Sequence, residues 1–305
     1  MSNEQRQSGG VFQYHSPPWP LSRFVESLYS THVSADFVAG IERAERLPEV
    51  SAQLVFMLEE GRAYPSARRV SGALHASLFL QPGHLVRIDI PLSVREVTAA
   101  ALRPSGLGLV LPHVATSWSG QPLIAFEDIL GQPARDLLER LVEEPSSERR
   151  LEVMRRFLEA RMRQSGPPSR LAADALRVTM RSRGALSVAQ VAEECGCSVR
   201  RLHQVAVQTT GLSPKELARI ARAQHLLKVL MSESKLTDAA LCAGFFDHPH
   251  LIHECQALFG CTPGELSEAL RKTPALDPIM STNRQLISTG LSLVPRAQPS
   301  STSVS

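Results

Sequence analysis

Two textures of apolar and polar positions divide the chain. From Leu54 to Leu111 the short runs QLVFML, ALHASLFL, LVRIDI and LGLVL are separated by Gly, Pro or charged clusters, which predicts a sheet of short strands. From Phe126 to Arg161 the period changes. LLERL and LEVMRRFLEARM set apolar residues three and four apart, with Glu and Arg on the other face, which predicts helices. RQSGPPSR, Arg163 to Arg170, then combines a Gly with two Pro residues; Pro stops a helix and favours extended backbone before it, so this stretch marks a domain boundary.

Beyond the boundary every segment is short and helix-like. Leu171 to Arg183 is a first helix, closed by Gly184. Ser187 caps a second, Val188 to Glu194, and Ser198 a third that runs to about Thr209, each hydroxyl able to accept a first-turn backbone N–H. The break between them, Cys195-Gly196-Cys197, has the length and the glycine of a helix-turn-helix. A second copy follows: Thr237 to Ala243, a break at Gly244, the residues FFDHP, then Pro249 to Phe259. Between the copies lies one long helix from Pro214 to roughly Met231, about eighteen residues or ~27 Å at 1.5 Å per residue. Major-groove faces on one side of B-DNA repeat every ~34 Å, so a rigid helix of that length can hold two recognition helices in successive grooves.

The expected fold class is therefore α+β: a β-rich N-terminal domain with closing helices over 11–162, a linker at 163–170, an all-α domain of two helix-turn-helix units joined by a long helix over 171–275, and a flexible tail over 276–305. A chain of 305 residues suits two such domains. Residues 1 to about 10 and the Ser-rich RAQPSSTSVS at the end carry too little apolar area to offset the entropy of ordering them.

Composition changes this picture little. The net charge is only +3, so no global field demands a polyanionic partner. No stretch approaches the roughly 18 apolar residues of a membrane span, and MSNEQRQSGG has no apolar core like that of a signal peptide. A cytoplasmic protein without a membrane partner is expected. Its cysteines, Cys195, Cys197, Cys242, Cys255 and Cys261, are odd in number and do not read as a disulfide framework.

The stretch LSVAQVAEECGCSVRRLHQVAVQTTGLSPKELARIARAQHLL, followed by LTDAALCAGFFDHPHLIHECQALFGCTPGEL, resembles the DNA-binding domain of AraC/XylS-type transcriptional regulators. The elements that carry the likeness are Gly211-Leu212-Ser213-Pro214, Arg222, Gly244-Phe245, Phe259-Gly260 and Thr262-Pro263. LPEVSAQLVF, LRPSG (Leu102 to Gly106) and EDILG (Glu127 to Gly131) resemble, more weakly, the sensory domain of a subgroup of these regulators. The resemblance implies double-stranded DNA as a partner, a homodimer, a small-molecule effector or a purely dimerising N-terminal domain, RNA polymerase as a further partner if the protein activates, and neither catalysis nor a cofactor. An alternative class is a degenerate helix-turn-helix domain serving protein–protein interaction. An enzyme or metal-binding barrel with a helical appendage is a third.

The base-reading candidates follow from helix geometry. With Leu202, Val205 and Ala206 inward, Arg200, His203 and Gln204 face outward near the N-terminal half of the first recognition helix, the part that reaches base edges. Arg201 and Arg219 are candidates for phosphate contact. In the second helix Leu251, Cys255 and Leu258 share the inner face, leaving His248, Pro249, Ile252, His253 and Gln256 toward a groove. A neutral imidazole makes one hydrogen bond to a base edge and lacks the bidentate fork of Arg. His250 braces the start of that helix in this reading. The blander reading of any single arginine is a solvated surface charge.

The sequence also departs from the family's pattern. Ala206 and Cys255 stand where an inner-face aromatic is usual, and Val207 and Gln256 where a Lys usually follows; Glu254 adds negative charge near the second groove. From Leu171 to Lys272 there are twelve Lys and Arg against ten Asp and Glu, a difference of only +2, so counterion release should be modest. The second helix should therefore contribute less affinity than the first.

Three histidines and two cysteines crowd into HPHLIHECQALFGCTP, His248 to Pro263. Cys255 is directed away from His253 by helix geometry, the paired spacings of zinc modules are absent, and the cysteines read as small buried hydrophobes. No metal is expected. His15, His32, His75, His84 and His113 share no tight ligand spacing, Trp19 and Trp118 read as core or interface anchors, and Gly106 as the glycine of a tight bend rather than an anion cradle.

Overall fold

The computed structural model describes residues 2–7, 10–32, 44–46, 52–59, 77–80, 86–88, 94–110, 123–165, 169–232 and 248–272. Its strands are β1 (Ser2–Gln7), β2 (Gly10–His15), β3 (Val25–His32), β4 (Ala44–Arg46), β5 (Ala52–Glu59), β6 (Ser77–Leu80), β7 (Val86–Ile88), β8 (Val94–Leu102) and β9 (Leu123–Ala125). Seven of them form one sheet in the order β1-β2-β3-β8-β5-β6-β9, and β4 pairs with β7. Every described pairing is antiparallel.

The central strand β8 sets the register, with Ala100 opposite Leu28 of β3 and Leu54 of β5. Because side chains alternate, Leu28, Leu54, Phe56, Ala100 and Leu102 share the face that the helices cover. Those helices are α1 (Leu107–Val110), α2 (Phe126–Leu130), α3 (Gln132–Glu143) and α4 (Ser147–Gln164). Phe126 meets Phe56 edge-on with ring centroids 6.1 Å apart, and Leu137, Leu141, Leu151, Met154 and Leu158 complete the core. On β3, β5 and β8 the other face is buried too, with polar residues among Val55, Met57, Ala99 and Ala101. Ser27, Tyr29 and Gln53 lie on it, the Tyr29 hydroxyl donating to Gln53 Oε1 at 2.7 Å. At one end of the helix-covered face Glu96, buried on β8, accepts from Ser30 Oγ at 2.7 Å and is paired with the Arg150 guanidinium of α4.

After α4, helix α5 (Arg170–Arg181) begins the helical part, capped by Ser169 Oγ, which accepts from Ala172 N. It continues with α6 (Val188–Glu194), α7 (Val199–Thr210), α8 (Pro214–Ser232), α9 (His248–Phe259) and α10 (Pro263–Lys272). Ala175, Val178, Val191, Ala192 and Leu202 form a small core among α5, α6 and α7. Ala223, Leu226, Leu227 and Leu230 of α8 form another with Leu251, Cys255, Leu258 and Phe259 of α9 and with Leu266 of α10.

The α+β organisation is the one the patterns predict, with corrections in detail. LGLVL, expected as a strand, contributes a helical turn, α1; it is apolar because it is buried, and a continuous apolar run fits either structure. The polar start, expected loose, pairs as edge strand β1 over Ser2–Gln7, since ladder hydrogen bonds need only backbone. The expected helical stretch Phe126 to Arg161 is three helices, broken at Gly131 and at Glu144–Ser146. The expected helix Thr237 to Ala243 and the tail from 276 lie outside the described residues. Trp19 is 74% exposed, with the Arg23 guanidinium 5.6 Å from its ring centre, so it anchors no core.

Candidate nucleic-acid interface

The first helix-turn-helix unit is assembled by reciprocal caps. Ser187 Oγ accepts from Gln190 N at 3.3 Å while Gln190 Oε1 accepts from Ser187 N at 2.9 Å, a capping box that starts α6. The turn after α6 closes with Cys197 N donating to Ala192 O at 2.9 Å. Ser198 Oγ then accepts from Arg201 N at 3.2 Å and starts α7. This unit is braced against α8: the Arg222 guanidinium donates to Gly184 O at 2.7 Å.

The same joint is built twice. Ser213 and Glu216 exchange hydrogen bonds at the start of α8, and Thr262 and Glu265 do so at the start of α10. Each joint reads Gly-x-Ser/Thr-Pro-x-Glu, with Pro at the first helical position, where it gives up no bond. The Thr262 hydrogen bonds hold the Glu265 carboxyl below its ordinary value.

On α7, Leu202, Val205, Ala206 and Thr210 are buried, and Arg200, Arg201, His203 and Gln204 are exposed. The four candidate residues thus sit together on the open side of the helix, in its N-terminal half. Arg201 Nη1 donates to Gln204 Oε1 at 3.1 Å, which orients the Gln204 amide while leaving its N–H donors outward. On α9, Leu251, Cys255 and Leu258 are buried, whereas Pro249, His253 and Gln256 are exposed and Ile252 half-buried. His248 opens the helix.

Arg219 is tied to a carboxylate on the neighbouring helix. Its Nε donates to Glu254 Oε2 at 2.7 Å, bridging α8 to α9. Glu254, expected as a charge beside the groove, is turned toward α8 with its side chain 13% exposed. This pair joins residues 35 positions apart, and nothing in the local pattern signals it.

The cysteines serve packing. Cys255 and Cys261 are buried and Cys195 and Cys197 half-buried; Cys242 lies outside the described residues. Burial pushes the Cys255 thiol up to about 12, with Cys261 and Glu254 adding to it. Only the thiolate is nucleophilic, so alkylation of the native protein at neutral pH is expected to spare Cys255. Peptide mapping by mass spectrometry checks this, and labelling of Cys255 before unfolding would show that the α8–α9 seam opens. His32, one of the scattered N-terminal histidines, meets Ser147 Oγ at 2.8 Å and lies 3.6 Å from Glu96; His75, His84, His113 and Trp118 lie outside the described residues.

The first recognition helix also touches the sheet-bearing part. α7 packs against the turn Pro104–Gly106 and against α1. That turn is rigidly held: Arg103 N donates to Phe24 O at 2.8 Å, Arg103 Nε to Ser22 O at 3.0 Å and Ser105 Oγ to Arg23 O at 2.7 Å. A Cβ on Gly106 would lie 2.1 Å from Phe24 O, so this glycine serves close backbone approach. From α4, Arg161 Nε donates to Leu109 O at 2.7 Å.

Two short helices joined by a glycine turn, the second presenting an open polar face, followed by a long helix and a second outward-facing helix, define a helix-turn-helix DNA-binding module. Residues 177–269 match a family model described as a helix-turn-helix domain, and this part of the chain is a helix-turn-helix domain of the AraC type. Among solved structures, the chain is similar to ToxT from Vibrio cholerae O395, with 13% identity, 77% of this chain and 95% of that chain covered, and a TM-score of 0.41. A second structure of ToxT from Vibrio cholerae shares 12% identity over 85% of this chain and 98% of that chain, with a TM-score of 0.42. No curated protein matches the chain.

Proposed function

We propose that the protein is a sequence-specific transcriptional regulator that acts as a homodimer in the cytoplasm. In this reading residues 171–275 bind double-stranded DNA, residues 11–162 form the effector-binding or dimerisation domain, 163–170 link the two, and RNA polymerase is a further partner if the protein activates. Arg200, His203 and Gln204 read base edges, Arg201 contacts phosphate, and His248, Pro249, Ile252, His253 and Gln256 meet the adjacent groove. The observation that carries the reading is the open polar face of α7, where Arg200, Arg201, His203 and Gln204 are exposed together above a buried apolar row. The contact of α7 with Pro104–Gly106 and α1 supports control by the N-terminal domain, because the helix that reaches DNA leans on a segment tied to the sheet and to α4.

The test is selection of genomic DNA fragments by the full-length protein across a salt series. The wild type is expected to retain a short set of sequences, and Arg200→Ala to lose about 1–3 kcal/mol on them, roughly 5- to 150-fold in affinity, with relaxed preference at one base position. Equal retention of all fragments, unaltered by Arg200→Ala, would overturn base readout. It would leave the helical domain as a protein-interaction module.

A further inference from the structure

The two outward-facing helices are useful together only if their separation and their rotation about their own axes are fixed. The apolar seam between α8 and α9 selects the buried face of α9 through shape alone, without directional bonds. Leu226, Leu227 and Leu230 against Leu251, Cys255 and Leu258 is a non-directional contact, whereas a charged hydrogen bond constrains both distance and angle. A bond of this kind crosses the seam, the Arg219–Glu254 pair at 2.7 Å. Glu254 sits at the margin of the buried stripe Leu251, Cys255 and Leu258, adjacent in sequence to exposed His253. Each residue turns a helix by about 100°, so rolling Glu254 out of its bond would carry His253 and Gln256 with it.

The other anchor falls on the same turn of α8. Ala218 O is the backbone atom against which Gly184 packs, and Arg222 reaches Gly184 O at 2.7 Å. Residues 218–222 therefore hold the first unit through Ala218 and Arg222, and the second through Arg219. From this juxtaposition we infer that Arg219 and Glu254 are positioning residues for DNA binding: the pair locks the rotation of α9 relative to α7, and Arg219 is not a phosphate ligand. The inference rests on the DNA-binding reading and deepens it, for it names what sets the geometry between the two half-sites.

The test uses the full-length protein, on the fragments it selects, with Arg219→Gln, Glu254→Gln and the exchanged pair Arg219→Glu/Glu254→Arg. Each single variant is expected to weaken protection of the half-site under α9 about two- to fivefold, the order of one ion pair whose arginine is a third exposed, while the α7 half-site is protected as before. The slope of binding against salt stays that of the wild type, and the exchanged pair recovers most of the loss. Loss of about 0.9 from that slope in Arg219→Gln, with no recovery in the exchanged pair, would make Arg219 a phosphate contact and overturn the inference. A second readout needs no DNA. Amide exchange over 249–259 is expected to quicken in the single variants and return in the exchanged pair, with 199–210 unchanged; unaltered exchange over 249–259 would overturn the lock. If the wild type selects no DNA, the functional reading falls, and the exchange measurement still decides the role of the pair.

Discussion

Arg150→Met is expected to cost about 3–5 kcal/mol at neutral pH, the scale for a buried charge stripped of its partner. Glu96 sits on the central strand with its side chain only 5% exposed, and Arg150 supplies the neutralising charge from α4 while also donating from Nε to Leu141 O at 2.9 Å. Burial pushes the Glu96 carboxyl up, but the Ser30 hydrogen bond, the Arg150 guanidinium and His32 together hold it below its usual 4.5. The sign of the pH dependence follows. With the folded value below the unfolded one, the carboxylate's contribution is complete above pH 4.5 and is lost as pH falls through the folded value. In Arg150→Met the balance reverses: burial acts unopposed by Arg150, Glu96 takes a proton more readily in the folded state, and the variant regains stability on acidification. The two stability curves should converge as pH approaches the carboxylate range, with the deficit greatest near pH 7. Urea unfolding over a pH series checks this, and Glu96→Gln/Arg150→Met should be less destabilised than Arg150→Met alone, because no charge remains to be buried. A deficit independent of pH would assign the loss to packing instead.

The legibility of the fold divides along physical lines. The helical part was readable because its information is local: Ser187 and Ser198 cap where they stand, and the inward rows Leu202-Val205-Ala206 and Leu251-Cys255-Leu258 follow from a period of 3.6. The capping boxes Ser213/Glu216 and Thr262/Glu265 are equally local, each a Ser/Thr-x-x-Glu read directly off the chain. The central strands β3 and β8 were not legible. VESLYSTH and VREVTAAAL carry buried polar residues, Ser27 on one face and Ser30, Glu96 and Thr98 on the other, so no alternation of apolar and polar marks them. The burial of Ser30, Glu96 and Thr98 is offset by partners in other elements, Arg150 above all, and partners distant in sequence leave no periodic trace. The same reason hid the Arg219–Glu254 pair, whose partners stand 35 positions apart. The candidate face of α7 was legible in full, because it is what remains of one helix once its buried row is removed.

Gly184→Val is expected to remove about 2–6 kcal/mol from the helical domain, from two independent causes. Gly184 has φ +71°, a left-handed conformation that costs a branched residue about 1–3 kcal/mol. Its Cβ would also lie 2.1 Å from Ala218 O and 3.1 Å from the Cγ of Arg222; the first is backbone of a buried helix turn and cannot swing aside, so α8 must shift, at a further 1–3 kcal/mol or so. The shift would break the Arg222 bond to Gly184 O, the anchor that seats the first unit on α8. Gly196 separates the two causes, because it has φ +62° with open space around a built Cβ. Gly196→Ala should therefore cost only about 1–2 kcal/mol, the left-handed penalty alone. Denaturant midpoints of Gly184→Ala and Gly196→Ala then isolate the overlap by difference. If the two variants unfold together, the approach of Gly184 to Ala218 carries no energetic weight; if Gly184→Ala falls well below, DNA selection should be lost with it, because α7 is then no longer held against the turn that also orients α9.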